Sequence, residues 1–248
     1  MSEYIRIENL TVGYGNKEVV SNVNLSINKG EIISLIGSNG SGKSTLLRTI
    51  AGLQKELSGS IYIDGKRMVD IPKKDLAKEI AVLFPEKKIV EKITCFDLAS
   101  LGRYPYTGLF GKLTKEDEEI VIKCMEQTET LDLMNCDINE ISDGQRQRVF
   151  LARALCQEPN ILILDEPTSF LDIKYKIDFL DIISKLSKRE DITIIMSLHE
   201  IEMVKKISDR VVTIKNNRVE KIGKSEEVFA GNYINELFNI SEDKLWLL

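Results

Sequence analysis

The stretch Ile32-Ile33-Ser34-Leu35-Ile36-Gly37-Ser38-Asn39-Gly40-Ser41-Gly42-Lys43-Ser44-Thr45 decides how the chain is read. Its first five residues are short, β-branched and almost unbroken in apolar character, as in a strand covered on both faces of a parallel sheet. The next eight, Gly37 to Ser44, fit G-x-x-x-x-G-K-[ST], and Thr45 follows them. From Lys43 to Leu53 the spacing predicts a helix with Leu46, Leu47, Ile50 and Leu53 on one side. Strand, glycine-rich loop and helix follow in the order a phosphate cradle needs. The glycines let the backbone curl so that consecutive N–H groups point inward at phosphate oxygens. The helix N-terminus adds roughly half a positive charge. Lys43 is spaced to reach β- and γ-phosphates, and the Ser44 hydroxyl to ligate Mg²⁺.

Two more apolar runs, Ile161–Leu164 and Ile192–Met196, have the same buried-strand character, and the residues between 173 and 186 predict a helix that groups Ile177, Leu180, Ile183 and Leu186. Buried strands joined by helices make an α/β architecture. Asp165 and Glu166 follow the second run directly. Acids at the carboxyl end of a parallel strand sit where open α/β sheets bind ligands. There Asp165 can hold a metal and Glu166 can orient and deprotonate a water. His199, the single histidine of the chain, follows the third run and suits a γ-phosphate contact.

The rest of the chain is consistent with one soluble globular unit. It has 248 residues, 43% hydrophobic and 29% charged, with 34 Lys+Arg against 39 Asp+Glu. A net charge of −5 argues against a nucleic-acid partner, whose affinity rests on neutralising phosphates. No apolar run approaches the ~18 residues of a membrane span, and the N-terminus lacks the layout of a secretory signal. Cysteines at 95, 124, 136 and 156 form no C-x-x-C pair, so neither a zinc site nor a disulfide framework is expected. Residues 4–8, 23–27 and 60–65 alternate, predicting half-exposed, antiparallel strands. Residues 85–136 read as helical, with a longer helix opened by the capping residue Thr114, and 210–215 with 218–222 read as a hairpin around Asn216-Asn217.

With these residues in place, the chain resembles the ATP-binding subunit of an ABC transporter over essentially its whole length. The loop at 37–45 is followed by Ile141-Ser142-Asp143-Gly144-Gln145, which is similar to the family's signature Leu-Ser-Gly-Gly-Gln. Asp165-Glu166, the D-loop Ser169-Phe170-Leu171-Asp172 and His199 then follow in the family's order. The resemblance implies a P-loop NTPase fold with a mainly parallel core sheet, an N-terminal antiparallel β region and a helical subdomain near 86–157 inside a single domain, 1–248. It implies ATP and Mg²⁺ as ligands. Tyr14 matches the aromatic that stacks on adenine, and Ser142, Gly144 and Gln145 would close over a nucleotide held by a second copy. Lys43, Glu166 and His199 are the implied catalytic residues, and Ser44, Asp165 and Glu86 the metal-binding ones. Implied partners are a second ATP-binding subunit, transmembrane permease subunits and, indirectly, an extracytoplasmic solute-binding protein. The implied location is peripheral, on the cytoplasmic face of the membrane.

Two positions depart from the family. Asp143 replaces a glycine of the signature, where a carboxylate ~7 Å from a phosphate at an effective dielectric of ~20 costs about 2 kcal/mol per charge. It is therefore expected to point away from the nucleotide. Glu86 stands where the family's Q-loop glutamine belongs; a carboxylate there is still a competent Mg²⁺ ligand. The segment Leu101-Gly102-Arg103-Tyr104-Pro105-Tyr106-Thr107-Gly108 resembles the subfamily that energises import of iron–siderophore, haem or cobalamin complexes. The alternatives are a cytosolic ABC ATPase of the iron–sulfur assembly type, the subunit of another transporter, and a nucleotide-regulated module without turnover.

Overall fold

The structure, a computed structural model, describes residues 3–85, 92–107, 111–169, 171–231 and 233–238. In chain order the elements are β1 (Glu3–Tyr14), β2 (Lys17–Asn28), β3 (Ile32–Ile36), α1 (Lys43–Ile50), β4 (Ser58–Ile63), β5 (Lys66–Arg67), α2 (Lys73–Glu79), β6 (Ile80–Leu83), α3 (Cys95–Ser100), α4 (Lys115–Gln127), α5 (Asp143–Leu155), β7 (Ile161–Asp165), α6 (Ile173–Glu190), β8 (Thr193–Ser197), α7 (Ile201–Ile207), β9 (Arg210–Lys215), β10 (Arg218–Gly223), α8 (Ser225–Val228) and α9 (Tyr233–Phe238). Contacts divide the chain into one unit of residues 1–71 and 193–248 and another of 72–192.

In the first unit the strands run β5-β4-β1-β2-β10-β9-β3-β8. β1, β2, β4 and β5 are antiparallel, as the alternation of 4–8 and 23–27 predicts. β3 lies parallel between β8 and β9, and all five of its residues are buried. That burial explains the unbroken apolar run, since a central strand has no polar face to keep. β9 and β10 form the expected hairpin. Asn216 and Asn217 both have positive φ, 49° and 63°, which is what a two-residue turn matching strand twist requires.

The second unit contains the parallel pair β6–β7, with Leu83 level with Leu164, and helices α2 to α6. The 86–157 segment expected as a helical subdomain falls inside this unit, together with β6, β7 and α6. α4 opens on a capping box in which the Thr114 hydroxyl accepts from Asp117 N–H and the Asp117 carboxylate accepts from Thr114 N–H. α5 opens the same way, through Ser142 and Gln145. The same Asp117 is buried against Arg103, with Nε to Oδ1 at 2.9 Å.

Two helix faces differ from the sequence expectation. α1 ends at Ile50, so Leu53 lies in the following turn and is 62% exposed. In α6 the buried arc is set by Phe179, Leu180, Ile182, Ile183 and Leu186, and Ile177 falls beyond its edge at 57% exposed. A large aromatic at 179 rotates the apolar stripe toward 182 and away from 177.

Phe179 has no exposed surface, and Phe179→Ala is expected to cost about 3–5 kcal/mol in urea unfolding; a loss below about 1 kcal/mol would contradict this packing. Hydrogen bonds from the Thr114 backbone and hydroxyl and from Arg103 hold the Asp117 carboxyl below its ordinary range, against the opposing effect of burial. A depressed carboxylate stabilises the fold above its unfolded value and loses that contribution as pH falls through the folded value. Asp117→Asn should therefore be less stable than wild type at neutral pH, and the gap should close on acidification below about pH 4. A pH-independent gap in the unfolding midpoints would refute it.

Candidate functional site

The glycine-rich loop leaves β3 and enters α1 in the first unit. Gly37, Ser41, Lys43 and Thr45 form its buried floor, while Ser38, Asn39 and Gly40 form an exposed rim. Gly42 has φ +102°, and a Cβ there would lie 2.4 Å from Val20 Cγ2 and 2.7 Å from Val19 Cγ1. Only glycine fits both that dihedral and that wall. Lys43 is buried, and its Nζ donates to the carbonyls of Gly37 at 2.9 Å and Ser38 at 3.2 Å, which ties the cation across the loop. The Ser41 Oγ is buried with no hydrogen-bond partner among the described residues.

No side chain caps α1, whereas α4 and α5 both carry capping boxes. A helix start with a positive end and no capping side chain is an anion site when the preceding loop curls as this one does. β8 lies parallel beside β3 with Ser197 level with Leu35, so His199, two residues past the end of β8, follows the same end of the sheet as the loop after β3. His199 is exposed, as a residue facing a ligand would be. On the other side, Val20 pairs with Val12 across β1–β2, and the hairpin ends at Tyr14, 56% exposed. The first unit thus gathers Tyr14, residues 37–45 and His199 at one end of its sheet.

The second unit holds the carboxylates and the signature. Asp165 ends β7 and is buried. Glu166 takes φ +49°, a left-handed conformation that costs a β-substituted residue about 1–3 kcal/mol and that clusters at functional positions. Its carboxylate accepts from the Ser169 hydroxyl at 3.3 Å. Pro85 and Glu166 follow the ends of the parallel strands β6 and β7 and line a cleft of about 230 Å³ together with Ser169, Asp143, Arg146 and Gln147. Ser142, Gly144 and Gln145 form the first turn of α5, and a Cβ on Gly144 would lie 2.8 Å from the Tyr175 ring. Asp143 is largely exposed and its charge is paired with Arg146 Nη1 at 2.8 Å. Arg146 also donates to the carbonyls of Ile138 and Ile141 and so holds the loop leading into the signature. Glu86 and Phe170 lie outside the described residues.

Sequence reasoning did not reach Val19 and Val20, Arg146 or the Ser169–Glu166 contact. The β2 valines carry no motif and matter only by packing. Arg146 lies three residues after Asp143, a helical spacing that could have exposed the ion pair.

Fold and loop together define a P-loop NTPase. The sequence pattern described as ABC transporter matches residues 20–169. An uncharacterized ABC transporter ATP-binding protein of Methanocaldococcus jannaschii is 46% identical over 236 residues, 95% of this chain and 81% of that protein. The iron(3+)-hydroxamate import ATP-binding protein of Bacillus subtilis is 35% identical, over 95% of this chain and 88% of that protein. A solved ATP-binding cassette of an ABC transporter in its ADP conformation, 25% identical, superimposes with a TM-score of 0.86 over 97% of this chain and all of that chain. A dimeric cassette bound to ADP and phosphate after hydrolysis, 29% identical, gives 0.77 over 89% and 98%. The chain belongs to the ABC transporter family, as one of its ATP-hydrolysing ATP-binding subunits.

Gly42→Ala should weaken nucleotide binding. Strain of about 1–3 kcal/mol, directed at the loop, corresponds to a loss of about five- to a hundredfold in affinity for a fluorescent ATP analogue. An unchanged dissociation constant would mean that the loop conformation is not what binds.

Proposed function

We propose that the chain is the ATP-hydrolysing subunit of an ABC importer for iron–siderophore, haem or cobalamin-type complexes. It works as a homodimer, peripheral on the cytoplasmic face of the membrane, against transmembrane permease subunits that receive solute from an extracytoplasmic binding protein. The observation that carries the nucleotide-binding part is the uncapped start of α1, beside a buried Ser41 hydroxyl with no hydrogen-bond partner among the described residues, and Asp165 and Glu166 at the end of β7 support hydrolysis. For the importer part, the support is the iron(3+)-hydroxamate and ferric enterobactin import relatives, each matched over 95% of this chain, and the Gly102-Arg103 segment. Among the described residues no helix is long and apolar enough to cross a membrane.

The triphosphate is held by the amides of residues 37–45, with Lys43 on the β- and γ-phosphates and the adenine stacked on Tyr14. The ordered α1 start supplies the Ser44 hydroxyl and β7 supplies the Asp165 carboxylate. These two hard oxygen donors would suit Mg²⁺. Glu86 is a further candidate ligand. When bound, the ion neutralises charge on the phosphates. Glu166 accepts a proton from water as the water oxygen bonds to the γ-phosphorus and the bond to the β-bridging oxygen breaks, giving ADP and phosphate. His199 donates a hydrogen bond to the γ-phosphoryl group. Ser142, Gly144 and Gln145 present the N-terminus of α5 to the nucleotide on the other copy. The Asp143–Arg146 pair offsets the cost of a carboxylate in that signature.

Glu166→Gln should retain nucleotide affinity while phosphate release falls by about 10²–10⁴. Turnover within about threefold of wild type would remove Glu166 from the role of base. Affinity purification from membranes should bring down integral permease subunits; a soluble assembly partner in their place would favour the iron–sulfur type of ATPase.

A further inference from the structure

Building on the ATPase reading above, we propose that Arg103 is a positioning residue for hydrolysis: it pins the shared end of α5 and β7, whose opposite ends carry the signature and Glu166. The guanidinium is buried in the turn after α3. Nε donates to Asp117 Oδ1 at 2.9 Å, while Nη1 donates to the Cys156 carbonyl at 2.9 Å and to Glu158 Oε2 at 2.6 Å. Its Cζ lies 4.0 Å from the centre of the Tyr106 ring, and Tyr106 in turn donates to the Gln157 carbonyl at 2.8 Å.

Those partners share a location. Cys156 is the residue that closes α5, and its carbonyl belongs to the group a helix end leaves unpaired. A fixed cation there also complements the negative helix terminus. Residues 156–160 are the whole connection from α5 to β7. Gly102 completes the seat, because a Cβ on it would lie 2.0 Å from the Arg153 carbonyl oxygen in the last turn of α5. Gln157 extends it by donating to the Ala77 carbonyl of α2 at 3.0 Å.

From this seat α5 runs back about 20 Å to Ser142, and β7 runs about 17 Å to Asp165. Their far ends meet again at the cleft lined by Asp143, Arg146, Glu166 and Ser169. Arg103 therefore sets the angle of a lever whose tip is the spacing between signature and base. A tilt too small to unfold the unit moves that tip, and a 1 Å misplacement of reacting groups is worth about a hundredfold in rate.

Arg103→Ala leaves Asp117 buried without its cation and is a poor test on its own. Arg103→Lys keeps the charge but not the planar fork, and Arg103→Gln with Asp117→Asn removes both charges together. Both proteins, confirmed folded by circular dichroism and thermal unfolding, should bind a fluorescent ATP analogue within about twofold of wild type. Their kcat for ATP should fall about ten- to a hundredfold with KM little changed. A kcat within about twofold of wild type in both folded variants would overturn the proposal. So would a kcat that falls only in step with nucleotide affinity, the behaviour of a merely structural residue. The wild type is assayed beside them: absence of ATP turnover there would sink the underlying ATPase reading, whereas an active wild type with equally active variants sinks the role of Arg103 alone.

Discussion

Gly42 has no room for a side chain, and much else follows from that. Its φ of +102° turns the chain from β3 into α1 while Val19 and Val20 of β2 press against the space a Cβ would fill. The wall of valines fixes the loop from outside, and the Lys43 ammonium, bonded to the carbonyls of Gly37 and Ser38, fixes it from inside. Between them the loop is preorganised before any nucleotide arrives. Preorganisation is what makes fixed dipoles effective against a developing charge, since no reorganisation is needed at the moment of reaction.

The helix starts show how one local rule yields two uses. α4 and α5 satisfy their first-turn N–H groups with Thr114–Asp117 and Ser142–Gln145. α1 has no such residue, because Gly42 occupies the cap position. The absence costs helix stability in the free protein and leaves first-turn N–H groups open to an anion at the tip of β3. The signature start is organised differently. Its Ser142 and Gln145 hold each other, and Asp143, the departure from the family's glycine, is neutralised by Arg146 three residues on. The same arginine steadies residues 138 and 141, so one side chain both balances the charge and shapes the loop.

Most of the frame was legible because it depends on local rules. β3, β7 and β8 are almost unbroken apolar runs; Asn216-Asn217 is a turn by chemistry; Thr114 announces the start of α4. The phosphate loop was legible because its glycines and lysine are set by backbone geometry. What was not legible depends on distant partners. The stripe of α6 turned away from Ile177 because Phe179 dominates its packing. The burial of Arg103 required α4, the end of α5 and the loop after it to meet, contacts 14 to 55 residues apart. The left-handed backbone of Glu166 had no sequence signal, since glutamate rarely adopts it.

The central claim is that main-chain N–H groups of residues 37–45, shaped by Gly42, grip the triphosphate. Amide chemical shifts of ¹⁵N-labelled protein titrated with a non-hydrolysable ATP analogue and magnesium test it most directly. The largest changes should fall on Gly40 to Thr45, with ADP reproducing most of them and AMP few. Saturating binding that leaves those amides unmoved while others shift would contradict the account.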